Sequence, residues 1–172
     1  ALNVAMNRIL LQQPYIKRLW VQPASGDAGG SLGAAACVAT RMGDQIVPMR
    51  HAYLGPEYDE EDIAMVLAAS GYTYQLEQNI CMKVATLLQQ GEIVGWFQGR
   101  MEWGPRALGN RSILGNPTIA GTADRINEII KFREKWRPFC PSMLREFSQD
   151  ILQSNHPAPF MTIAFRAHPR SK

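Results

Sequence analysis

Arg100, Arg106 and Arg111 stand in a short stretch that also carries Gly99, Gly104, Pro105 and Gly109. A guanidinium grips phosphate or carboxylate through parallel N–H donors, and glycine lets the backbone approach a ligand closely. An apolar run, Ile93 to Phe97, comes just before, so the arginines are expected in a loop at the end of a buried strand. That composition suits an anion-binding loop. A surface turn with solvated arginines has the same composition, and residue types alone leave both readings open. A second cationic segment follows, Lys131-Phe-Arg-Glu-Lys-Trp-Arg-Pro-Phe-Cys-Pro-Ser. If it is extended, Lys131, Arg133, Lys135 and Arg137 alternate onto one side. Such a row needs an anionic partner or water, and the plainer reading is a solvated edge guarded by lysine. From Arg100 to Arg145 the chain holds 9 of its 18 basic residues and only 4 of its 15 acidic ones. Positive charge therefore gathers here, and two cationic segments so close favour one phosphate-rich ligand.

The rest of the composition narrows the classes. At 172 residues, 46% hydrophobic and 19% charged, the chain suits one ordinary domain, or a small domain plus part of another. A net charge of +3 is too small to argue for nucleic acid, which is an unlikely partner on this count. Cys37, Cys81 and Cys140 are odd in number and far apart, so reduced thiols and a cytoplasmic location are expected. His51, His156 and His168 form no paired metal motif. The apolar stretch from Gly29 to Ala39 is too short and glycine-rich to span a bilayer, so no membrane partner is expected.

Helices and strands are expected to interleave, giving an α/β or α+β class. Ala1 to Gln13 has helical spacing and stops at Pro14, and no cap is evident before it. Lys17 to Gln22 alternates like a strand. A small-residue turn from Ala24 then leads into a helix to about Met42, whose alanines and glycines would let it pack closely on the first helix. The acidic run from Glu57 to Asp62 is better read as a helix start than as a cation site. Asp59 is the N-cap, and Glu60, Glu61 and Asp62 complement the dipole. That helix, 60–70, ends at Gly71, and Tyr72 to Leu76 follows as a short strand. Asn79 caps a helix stopped by Gly91. Ile93 to Gln98 is the strand before the arginine loop, Ser112 to Leu114 a short one after it. Thr122 is expected to cap a helix to about Ile130. A last strand, Phe160 to Phe165, leads into a basic tail.

Several motifs recur in an order that carries a resemblance. They are Ala1-Leu-Asn, then Trp20-Val-Gln-Pro-Ala-Ser-Gly-Asp-Ala-Gly-Gly-Ser-Leu-Gly, then His51-Ala-Tyr-Leu-Gly-Pro. Gly95-Trp-Phe-Gln-Gly-Arg-Met-Glu-Trp-Gly-Pro-Arg-Ala-Leu-Gly-Asn-Arg-Ser-Ile-Leu, Lys131-Phe-Arg and Arg137-Pro-Phe complete them. From residue 1 to about 166 the chain resembles the nodulation and antibiotic O-carbamoyltransferases. The resemblance implies an actin-like (ASKHA) α/β domain joined to a YrdC-like domain. Here that means an actin-like remnant at 1–43, a linker at 44–58 and a YrdC-like domain at 59–172, truncated at its end. In the implied chemistry, the YrdC-like domain condenses ATP with carbamoyl phosphate to a carbamoyl-adenylate and pyrophosphate. The actin-like domain, with iron(II), then passes the carbamoyl group to a hydroxyl of a sugar or antibiotic; Mg2+ is an optional companion of ATP.

By the same resemblance, Arg106, Lys131 and Arg137 are the catalytic cations that hold carbamoyl phosphate and the ATP phosphates. Arg111 and Arg133 support them, Asn3 lies near nucleotide, and Asp27 is one metal ligand whose partners lie outside this chain; Arg100, from the glycine-rich loop, is a further substrate- or ATP-binding candidate on composition. Two polyanions must be brought together, and fixed positive charge offsets their repulsion. The resemblance also implies a paired histidine motif upstream and a Ser-x-Asn element downstream, neither present here. A carboxy-terminal region truncated at both ends, inactive alone, is therefore expected. The other classes are an RNA- or anion-binding YrdC-like module without turnover, and an interaction remnant. For the remnant, exposed apolar surface would favour a homodimer.

Overall fold

Asn3 and Asp59 open two helices by the same device. In the computed structural model, which describes residues 1–169, the Asn3 side chain accepts the Met6 N–H at 3.0 Å and starts α1, Val4–Leu11. Asp59 accepts the Asp62 N–H at 2.8 Å, and Asp62 reaches back to the Asp59 N–H. This capping box satisfies donors that the first helical turn leaves open and begins α3, Glu60–Ser70, which ends at Gly71 with φ 72°. The acidic run is thus a helix start. Asn79 likewise caps α4, Ile80–Gln89. The sequence expectation starts this helix at Ala1, which places Asn3 inside it and so hides its role as the cap.

The chain divides into two compact units. The first comprises Ala1–Leu54, Glu102–Leu108 and the described residues from Ser142 onward. It contains α1, α2 (Asp27–Arg41), a 3-10 turn (Arg145–Phe147) and a short helix (Ser148–Ile151). Its small core includes Val21, Ala24, Ala52 and Phe160. Asn7, only 3% exposed, donates to the carbonyls of Ala1 and Thr162 at 2.7 Å each. The Ala164 N–H donates to the Val4 carbonyl at 3.1 Å, so α1 is held to the end of the chain by polar contacts at both edges.

Three expectations fail in this unit. Residues 17–22 are not a strand, and neither are 160–165; only an isolated bridge between Leu152 and Ala167 forms near the latter. Alternation needs a neighbouring ladder to become a strand, and Pro14 and Pro23 flank the first segment. The helix from Asp27 forms, but α2 buries none of its residues, so its small residues are not used for close packing on α1. Of the expected basic tail, Arg170 and Lys172 lie outside the described residues.

The second unit comprises Gly55–Met101 and Gly109–Pro141. Strands β1 (Val94–Phe97) and β2 (Arg111–Leu114) pair antiparallel, with Phe97 opposite Arg111 and Val94 opposite Leu114. β1 is half-exposed, with Phe97 at 48%, because a two-stranded ribbon covers one face at most. Helix α4 packs on β1, and Gly91, at φ 88°, turns the chain between them. Residues 72–76 are irregular, not a strand. After β2, the chain turns at Gly121, which rather than Thr122 is the N-cap of α5, Thr122–Arg125. The helix then widens into a π turn, Ile126–Ile130. Gly115 makes this possible: a Cβ there would lie 2.8 Å from Thr122 Cγ2 and 2.9 Å from Ile126 Cδ1. The whole is a mixture of helices with one small antiparallel sheet, an α+β arrangement.

Candidate functional site

In the first unit, residues 102–108 form a closed loop. Glu102 is 4% exposed, and its carboxylate accepts the Leu108 N–H at 2.5 Å. The Tyr53 hydroxyl donates to the Leu108 carbonyl at 2.8 Å, so both polar groups around Leu108 are fixed. The Trp103 N–H donates to the carbonyl of buried Ala52 at 2.6 Å. Gly104, at φ 108°, sits against Pro23 and Ala24, where an added Cβ would be 3.3 Å from the Pro23 oxygen. A side chain there is strained by φ and needs Pro23 and Ala24 to give by a few tenths of an ångström. Arg106 stands inside this held loop, and its Nε is buried without a hydrogen-bond partner. Leaving a buried donor unmade costs about 1–3 kcal/mol. Leu108 and Tyr53 also line a small cavity of about 120 Å3 with Arg50, His51, Pro159 and Phe160.

In the second unit, the centre is Asn127, which is 0% exposed within the π turn. Its Nδ2 donates to the carbonyls of Lys135 and Arg137 at 3.2 and 3.0 Å. Its Oδ1 accepts Arg133 Nε at 2.6 Å, and its carbonyl accepts the Arg133 N–H at 3.0 Å. One side chain therefore folds residues 131–137 back upon the π turn. They do not form an extended edge, and the expected row of four cations is broken.

Each of these cations has its own surroundings. The Arg133 guanidinium lies 4.9 Å from the centre of the Phe139 ring. Lys135 pairs with Glu128 at 2.6 Å, Arg137 with Glu134 at 3.3 Å, and Arg137 also lies over Trp136. The hydrogen bond and charge of Glu128 push the Lys135 ammonium above its ordinary value. Glu134 is held below the usual carboxylate range, first by a hydrogen bond from its own backbone, then by Arg137. Lys131 differs from the rest. Its backbone N–H closes the π turn onto the Ile126 carbonyl at 3.0 Å, while its side chain is exposed and makes no ion pair or hydrogen bond among the described residues.

The structure thus gathers Lys131, Arg133 and Arg137 around Asn127 in the second unit, and holds Arg106, Asn3 and Asp27 in the first. Arg100 is engaged with the Gly55 carbonyl at 3.3 Å and Glu57 at 3.2 Å, and Arg111 lies on β2. Asn3 spends its side-chain oxygen on the α1 cap. Asp27 is an exposed first-turn residue of α2, and among the described residues no group of three or more His, Cys, Asp or Glu could hold a metal. Sequence reasoning missed Asn127 and Glu102. Asn127 had a signal, a polar residue beside Ile126, Ile129 and Ile130; Glu102 had a weaker one, a lone carboxylate among arginines.

Comparison with known proteins gives a consistent result. The family described as Carbamoyltransferase C-terminus matches residues 85–172, and that described as Carbamoyltransferase N-terminus matches residues 1–37. The chain is 43% identical over 173 aligned positions to uncharacterized protein sll1178 of Synechocystis sp., covering 95% of this chain and 28% of that protein. It is 39% identical to nodulation protein NolNO of Sinorhizobium fredii, covering 92% and 25%. It is 38% identical to nodulation protein NolO of Bradyrhizobium diazoefficiens, covering 95% and 31%. The chain therefore spans between a quarter and a third of the length of these relatives. Among the described residues no helix is long and apolar enough to cross a membrane.

Proposed function

The chain belongs to the carbamoyltransferase family, and from that premise we propose that it supplies part of the phosphate-handling site of an O-carbamoyltransferase. In this reading, residues 59–172 are YrdC-like and 1–43 belong to an actin-like domain. ATP and carbamoyl phosphate are the substrates, and a hydroxyl of a sugar or antibiotic is the final acceptor. By atom balance, forming carbamoyl-adenylate from these substrates and water releases phosphate and pyrophosphate. A carbamate oxygen bonds to the α-phosphorus as the bond to the β,γ-leaving group breaks.

Lys131 is the observation that carries the proposal. Lys135 and Arg137 each have a carboxylate partner and Arg133 is fixed on Asn127, whereas the Lys131 ammonium stays uncompensated beside them. The Lys131 backbone is fixed by its bond to Ile126 while its ammonium has no carboxylate to neutralise it, which supports a role in offsetting phosphate charge. Arg106 has a related supporting feature, a buried guanidinium N–H with no partner. Within the 131–137 segment Lys135 and Arg137 are paired with carboxylates, which does not favour a run of free cations there for a nucleic-acid backbone. Asp27 would be one ligand of an iron site completed by residues outside this chain.

The test is a pyrophosphate-release assay on the complete parent enzyme carrying Lys131→Ala or Arg106→Ala. Adenylation is expected to slow at least about ten-fold, equivalent to about 1.4 kcal/mol of barrier. Unchanged pyrophosphate release in both variants would remove the phosphate-handling role.

A further inference from the structure

Tyr53 belongs to the His51-Ala-Tyr-Leu-Gly-Pro stretch, to which the proposed chemistry assigns no role. Its hydroxyl reaches across 55 residues of chain to the Leu108 carbonyl at 2.8 Å. On the other side of the same residue, the Glu102 carboxylate accepts the Leu108 N–H at 2.5 Å and closes the loop upon itself. Leu108 is thus held at both polar atoms, once from within the loop and once from outside it. Arg106 lies between the two ends of that closure. Its Nε is buried and has no hydrogen-bond partner among the described residues. All of these residues belong to the first unit.

Packing does little to fix this end of the loop. Tyr53 and Leu108 border the cavity of about 120 Å3, which Arg50 and Phe160 also line, and side chains facing a void lose contacts on that side. The hydroxyl supplies the constraint instead. The Tyr53 ring is oriented by stacking on His51, with 5.7 Å between centroids and 17° between planes. An open buried donor relaxes toward any acceptor its backbone lets it reach, because leaving it unmade is costly. Fixing the backbone beside it prevents that relaxation. We infer that Tyr53 is a positioning residue for Arg106: its hydroxyl holds the loop so that the guanidinium meets a phosphate-bearing substrate in a fixed geometry. The inference rests on the phosphate-handling role proposed for Arg106 and adds the group that sets that side chain's place. A misplacement of about 1 Å can cost about 100-fold in rate, so a hydroxyl that never touches substrate can still control it.

The experiment is a double-mutant cycle in the complete parent enzyme, read as kcat/KM for carbamoyl phosphate in the pyrophosphate-release assay. Tyr53→Phe deletes only the hydroxyl and keeps the ring on His51. It should lower kcat/KM about five-fold or more. In an Arg106→Ala background, or Arg106→Lys where the alanine variant falls below detection, the same change should cost less than about two-fold. A merely structural hydroxyl would lower activity by the same factor in every background, so equal losses overturn the positioning role. An unchanged rate in Tyr53→Phe alone overturns it too, as does failure of that variant to fold. If Arg106→Ala is impaired and the losses multiply, only the inference falls. An unimpaired Arg106→Ala enzyme overturns the phosphate role of Arg106 and the inference together.

Discussion

Arg106 and Asn127 are two buried polar groups with opposite circumstances. Asn127 has every polar atom of its side chain engaged and shapes the 131–137 segment. The Nε of Arg106 is buried with no partner, in a loop held by other residues, Glu102 and Tyr53. A satisfied buried group reports what holds a fold together, while an orphaned one reports a cost that stability alone does not justify. Removing the first should damage folding and removing the second should not. On that contrast the carboxamide is architecture, and the guanidinium is a group whose burial the local hydrogen bonds do not explain.

The largest effect expected is from Asn127→Ala, which strips partners from two backbone carbonyls and from Arg133. Chemical denaturation should show a loss of about 2–4 kcal/mol. A loss below about 1 kcal/mol would mean the segment is held by something else. Glu102→Ala comes next, at about 1–3 kcal/mol, since the part-buried Leu108 N–H loses its acceptor. Gly104→Ala should cost about 1–2 kcal/mol, from φ 108° and from the contact with Pro23. Arg106→Ala sharpens the contrast most, because its stability should stay within about 1 kcal/mol of wild type or rise, the orphaned donor being gone.

The smallest effect expected concerns pH. Glu134, held low chiefly by its own backbone hydrogen bond and less by Arg137, should titrate below the ordinary carboxylate range in a side-chain NMR titration. Arg137→Ala should restore only part of that shift. Since the folded form is the more acidic, the contribution is present above the unfolded-state value and is lost as pH falls through the folded one. For Lys135, raised by Glu128, the sign reverses, and its contribution fades as pH rises through the alkaline range.

Where local chemistry decides, the sequence was legible. Asp59 with Asp62, Asn79 and Gly71 announced the helix boundaries because capping is a matter of a few adjacent atoms. β1 and β2 were also readable, from a short apolar run and the turn residues between them. What failed depended on distant partners. Residues 17–22 and 160–165 have suitable residue types but no ladder, and the small face of α2 remains uncovered. The cationic row from 131 to 137 was misjudged for a related reason: alternation assumes extension, whereas Asn127 draws two carbonyls of that segment onto itself. For the site, the residue types pointed to the cations. The inequality among them, with Lys131 unpaired and Lys135 and Arg137 neutralised, came only from geometry.

The most direct test of the central claim is a calorimetric titration of carbamoyl phosphate and ATP into the chain and into Lys131→Ala, at matched ionic strength. Saturable binding in the first and at least about ten-fold weaker binding in the second, with equal folding stability, is the predicted result. Identical isotherms for the two proteins, or no heat in a demonstrably folded wild type, would contradict it.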